Sequence, residues 1–99
     1  MSFNMKQVQQ LQQKMLKAQE EFANSTFEGT AGGGVVTLTL KGSYEIVALK
    51  IAPEAVDPED VAALEDLIVA AAHDAFEKAH SQQEKMLSGM MGGMKIPGF

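Results

Sequence analysis

The hydrophobic period of this chain changes twice, and those two changes decide most of what it can fold into. From Met5 to roughly Asn24, the residues Val8, Leu11, Met15, Ala18 and Phe22 recur at spacings of three and four. That is the narrow stripe of an amphipathic helix, and it is too short to stand as a free coiled coil. Gln and Lys fill the other faces, and no proline or glycine interrupts the segment. From Thr26 the period becomes two. Phe27 and Ala31 alternate with Glu28 and Thr30 in a short strand, after which Gly32-Gly33-Gly34 permits a turn with positive φ. Val35 to Lys41 is a second strand, with Val36, Leu38 and Leu40 on one face and Thr37 and Thr39 on the other. Gly42-Ser43 has the size of a two-residue hairpin loop. Tyr44 to Ile51 then forms the third strand. Val47, Leu49 and Ile51 lie on its apolar face, opposite Tyr44, Ile46, Ala48 and Lys50, so the meander is expected to have one apolar and one half-apolar face.

Helical spacing returns after a loop, Ala52 to Val56. In Asp57-Pro58-Glu59-Asp60, Asp57 reads as the N-cap and Pro58 as the first helical residue, with acids against the positive helix terminus. Val61, Leu64, Ile68, Ala71, Ala75 and Ala79 make the main stripe of a helix expected to end near Leu87. Leu67, Ala72 and Phe76 widen it in the middle, so that stretch should touch more than one element. Ser88 to Phe99 is rich in Gly and Met and reads as a flexible tail. The spacing therefore predicts an α+β fold: a long N-terminal helix, a three-stranded antiparallel meander and a long C-terminal helix. Residues 1–87 form one domain and 88–99 the tail.

A chain of 99 residues buries a modest core, and helices this long overhang strands of six residues. A homodimer with protruding helices is expected. There is no cysteine, which excludes disulfides and thiolate metal sites. The N-terminal residues are mostly Gln, Lys and Asn, and the longest apolar run, Leu67 to Ala72, is far short of the roughly 18 residues of a membrane span. A cytoplasmic protein without membrane contact is expected.

The net charge of −5 is unevenly spread. Met1 to Lys17 carries Lys6, Lys14 and Lys17 and no acid; Lys78 to Phe99 carries Lys78, Lys85 and Lys95 against Glu84. Between them, two lysines face twelve acids. The first helix enters the sheet by its C-terminus and the second leaves it by its N-terminus. Their free ends are the two basic segments, and antiparallel packing would join them in one lysine-bearing protrusion. A local basic surface matters more for phosphate binding than mean charge does. There is no arginine, so the bidentate guanidinium–guanine contact is not available.

Other chemistries find little support. The run Gly29 to Gly34 leads into a strand rather than from a strand into a helix, and no Gly-Lys-Ser/Thr follows, so it is a turn and not a phosphate cradle. His73, Glu77 and His80 share a helical face, but the spacing is not that of a zinc protease and no fourth ligand is evident. Ser2, Ser25, Ser43, Ser81 and Ser88 lack an elbow or triad context. Acid pairs such as Glu65/Asp66 suit capping and solvation. No enzyme activity, cofactor, metal or small-molecule substrate is expected.

The pattern resembles the YbaB/EbfC nucleoid-associated proteins of bacteria. The resemblance rests on the first helix MKQVQQLQQKMLKAQEE, on GTAGGGVVTLTLKG with YEIVALKIAPEAV, on DPEDVAALEDLIVAAAHDA and on the tail QEKMLSGMMGGMKIPGF. It spans nearly the whole chain, and the order and spacing of the segments carry it more than any one motif. It implies a homodimer with tweezer-like protruding helices that binds duplex DNA with little sequence specificity at the nucleoid. Lys6, Lys14, Lys17, Lys78 and Lys85 are the expected DNA-binding residues. The alternative is a protein-interaction scaffold dimer that engages a partner through its acidic middle or Met-rich tail. Salt dependence separates the two, since phosphate contacts weaken steeply with salt and apolar contacts do not.

Overall fold

A computed structural model of the chain describes residues 4–90. Helix α1 (Met5–Asn24) is followed by strands β1 (Thr26–Ala31), β2 (Val36–Lys41) and β3 (Ile46–Ile51), and by helix α2 (Val61–Met90). The strands form one antiparallel sheet in the order β1-β2-β3, so the expected α+β architecture is the observed one. Ser88 to Met90 continue α2; the remainder of the expected tail lies outside the described residues.

The core is the face of the sheet toward α2. Val36, Leu38 and Leu40 are buried there beneath Ala71, Ala75 and Ala79, a ridge of small residues one turn apart. Small side chains let the helix come very close. A Cβ on Gly29 would land on the backbone of Ala71 and Ala75, so the glycine that pairs with Leu38 is required by this contact. Gly29 therefore belongs to the strand–helix seam; the turn begins only at Gly32, and Gly32, Gly33 and Gly34 all have positive φ.

Three local readings are corrected. First, the register slips between Thr39 and Leu40: Thr39 pairs with Ala48 and Leu40 with Ile46, leaving Val47 unpaired. Such a bulge re-aims the residues beyond it. Ile46 now stands opposite Leu40, on the same side as Leu49 and Ile51. The outer face holds Thr26, Glu28, Thr30, Thr37, Thr39, Ala48 and Lys50 and is polar, not half-apolar. Second, four residues join β2 to β3, and the turn closed by Lys41 and Glu45 spans three, Gly42 to Tyr44. Lys41 N–H donates to the Glu45 carbonyl and Tyr44 N–H to the Lys41 carbonyl, with Tyr44 at φ 66°. A bulky residue there is strained. Its ring stacks on Phe76 at 5.7 Å and its hydroxyl lies 3.1 Å from Gln83 Oε1, contacts that hold the conformation. Third, Asp60 caps α2 by accepting from Ala63 N–H, while Asp57 accepts from Glu59 N–H inside the preceding turn.

α2 covers β1 and β2 but not β3. The core side of β3 is open to solvent, with Ile46 55% and Leu49 44% exposed and Val47 open beside them. Val69 and Phe76 on the flank of α2 are exposed as well.

Candidate nucleic-acid interface

α1 stands largely clear of the rest of the molecule. It is held at its C-terminal end, where Phe22 is buried and tilts against Phe27 at a ring distance of 5.6 Å. Ala18, Glu21 and Phe22 share a shallow groove with Gln82 and Met86 of α2. Toward its N-terminus every residue from Met5 to Lys17 is exposed, including the stripe residues Val8, Leu11 and Met15. The stripe expected to seek a partner helix is thus covered within the chain only at Ala18 and Phe22.

At 3.6 residues per turn, Lys6, Lys14 and Lys17 fall within about 80° of one another on α1. Lys6 and Lys17 lie well away from the apolar stripe, and Lys14 borders it beside Leu11. Gln7, Gln10 and Gln13 occupy the same face, and a surface groove is lined by Gln7, Gln10, Leu11, Gln13, Lys14 and Lys17. The first acid in the chain is Glu20. The three- and four-residue spacing that groups the lysines in the sequence groups these glutamines with them.

The charges on α1 run against its dipole. Lys6 sits in the first turn, beside the positive terminus, and Glu20 and Glu21 sit near the negative end. Both placements cost helix stability, the first unless an anion sits at the N-terminus and the second unless a cation sits at the C-terminus. The cap at this end is a single contact, Asn4 Oδ1 accepting from Gln7 N–H at 2.7 Å.

Lys85 is exposed on α2, one residue from Met86 of the groove shared with α1. Lys78 is elsewhere. It lies twelve residues before Met90, the last described residue of α2, and not on the last turns as expected. Its ammonium donates to the Glu28 carbonyl at 2.9 Å and is 3.3 Å from the Asp74 carboxylate. Asp74 also accepts from Thr30 N–H at 3.0 Å. The Thr30 hydrogen bond first, and then Lys78, hold the Asp74 carboxyl below the ordinary aspartate range. Lys78 therefore serves the edge of β1, and its charge is largely matched.

The two histidines are each taken up by a carboxylate one turn on, His73 by Glu77 and His80 by Glu84, at 3.2 Å in both pairs. Among the described residues no three His, Cys, Asp or Glu side chains converge as a metal site would require. No helix among them is long and apolar enough to cross a membrane.

A family model described as the YbaB/EbfC DNA-binding family matches residues 1–94. A protein of Roseiflexus sp. (strain RS-1) named nucleoid-associated protein is 54% identical over 90 residues, covering 91% of this chain and 89% of the relative. A relative of the same name from Pelotomaculum thermopropionicum is 50% identical over 99 residues, with 100% of this chain and 94% of the relative covered. Among solved structures, an uncharacterized protein from Helicobacter pylori superposes with a TM-score of 0.74 at 18% identity, covering 91% of this chain and 99% of that one, a likeness of fold. By the family match over residues 1–94 and the 54% identity to the Roseiflexus relative, this chain belongs to the YbaB/EbfC DNA-binding family.

Proposed function

We propose that this chain is a nucleoid-associated protein that binds duplex DNA through α1, as a homodimer working in the cytoplasm at the nucleoid. The observation that carries the reading is the lysine face of α1. Three lysines stand on the acid-free Met5–Lys17 stretch of a helix that projects from an acidic body, and Lys6 is placed against the dipole. DNA phosphates would supply the missing anion at that terminus. Lys85 adds a charge on α2. The names of the relatives agree with this reading.

Lysine offers a compact charge without a planar fork, so affinity should come mainly from phosphates and depend little on sequence. The acidic middle of the chain would repel the duplex and confine contact to the projecting helices. The homodimer is supported by the uncovered core side of β3. Ile46, Val47 and Leu49, with Val69 and Phe76 alongside, form an apolar surface that a second copy can bury.

A gel-shift titration with unrelated duplexes at two salt concentrations tests the proposal. Binding to all of them that weakens steeply with salt supports it. A protein complex formed through an apolar surface, indifferent to salt and without DNA, would replace it with the scaffold reading.

A further inference from the structure

The glutamines of the α1 face are interleaved with its lysines. Gln10 stands where two rows of the helix surface cross. One row, spaced by four, runs Lys6, Gln10, Lys14; the other, spaced by three, runs Gln7, Gln10, Gln13. The whole face, with Lys17, spans about 120° of the helix circumference. All of these residues are exposed, and α2 and the sheet leave them free.

The dimensions suit a major groove. A helix with its side chains is about 10–12 Å across and the groove is about 12 Å wide. Lys6 and Lys14 are eight residues apart, about 12 Å along the axis. They stand about 40° to either side of Gln10 around the helix, so the flexible lysines can reach phosphates on the two walls while the side chain between them points at the floor. A glutamine amide carries a donor and an acceptor, the pattern that matches the N7 acceptor and N6 donor of adenine. A lysine between the same anchors has no acceptor and cannot make that pair.

We infer that α1 lies in the DNA major groove with Gln10, supported by Gln7 and Gln13, reading adenine edges, so that a modest A·T preference is laid over the charge-driven binding. This rests on the phosphate-binding reading of α1 proposed above. The lysines set the affinity and its salt dependence; the glutamine row sets the residual preference among sequences.

Full-length protein titrated by fluorescence anisotropy against an A·T duplex and a G·C duplex of equal length tests the inference. The A·T duplex should bind about five-fold tighter or more, the lower end for one bidentate base contact. Gln10→Ala retains helix propensity, which circular dichroism checks. It should bring A·T affinity down to the G·C value and leave the salt slope unchanged. Replacing adenine by 7-deazaadenine removes N7 from the major groove without altering the minor groove, and should cost the parent protein the same preference. Equal affinity of the parent for the two duplexes overturns the inference, as does a preference that survives Gln10→Ala or 7-deazaadenine. Absence of salt-dependent binding to either duplex overturns the phosphate reading itself, a distinct outcome that removes this inference with it.

Discussion

The side chains of Asp74 and Lys78, 3.3 Å apart on successive turns of α2, together close the free edge of β1. The carboxylate accepts from Thr30 N–H and the ammonium donates to the Glu28 carbonyl. An open strand edge invites pairing with other chains, and here one donor and one acceptor of that edge are occupied by the helix above. Among the described residues the opposite edge strand, β3, has no such cover, so the sheet has one guarded side and one side open to a partner.

Protonation of Asp74 should release this clamp. Its carboxyl lies below the ordinary aspartate range because Thr30 N–H and Lys78 favour the charged form. A group depressed in the folded state adds stability above its unfolded pKa, and that stability is lost as pH falls through the folded value. Urea midpoints should therefore fall below the ordinary aspartate range, and Asp74→Asn should lose part of the difference between neutral and acid pH. An identical pH profile for the variant would show that the clamp adds nothing.

Gly29 offers a sharper test of the helix–sheet seam. An added methyl has no room, since backbone atoms of Ala71 and Ala75 occupy its place and cannot swing aside. Gly29→Ala should destabilise by about 1–3 kcal/mol or more, the usual cost of overpacking a core. A denaturation midpoint equal to the parent's would mean that α2 does not approach β1 as closely as described.

The homodimer can be separated from the fold at Leu49. It sits opposite Leu38 on the uncovered strand and is 44% exposed in the single chain. Leu49→Glu should leave the isolated fold standing while placing a charge in the buried interface. Sedimentation should give the mass of two chains for the parent and one for the variant. A parent that sediments as one chain at all concentrations would remove the dimer from the proposal.

The element order was legible because each element carries its own period: the α1 stripe, the alternation of Val36, Leu38 and Leu40, and the four-spaced alanines of α2. What was not legible depends on contacts between elements. The bulge at Val47 leaves no mark in the alternation, yet it carries Ile46 to the other face. Asp57 and Asp60 are equally good caps locally, and the turn through Pro58 gives the role to Asp60. Gly29 looked like part of a glycine turn, because the demand on it comes from α2 more than forty residues away. Lys78 looked free for the same reason: Glu28 and Asp74 meet it only once β1 and α2 are packed. The grouping of the lysines on α1 is legible because the spacing along one exposed helix determines it.

That face is where the functional proposal is most exposed to test. Lys14 and Lys17 both line the groove on α1 that also holds Gln7, Gln10 and Gln13, and neither makes a salt bridge within the described residues. Replacing both by Gln removes two charges and keeps helix propensity, so fold and dimer should be unchanged. If each lysine neutralises one phosphate, the slope of log affinity against log salt should become shallower by about 0.9 for each, close to two units in all. Affinity for A·T and G·C duplexes should fall together, because the lost term is blind to sequence. Lys78→Gln is the internal control. Its ammonium is engaged by Glu28 and Asp74 at the β1 edge, so its loss should lower the denaturation midpoint and leave the salt slope nearly as it was. Unchanged slope and affinity in a folded Lys14→Gln/Lys17→Gln protein would take α1 out of the DNA interface and leave the scaffold reading in its place.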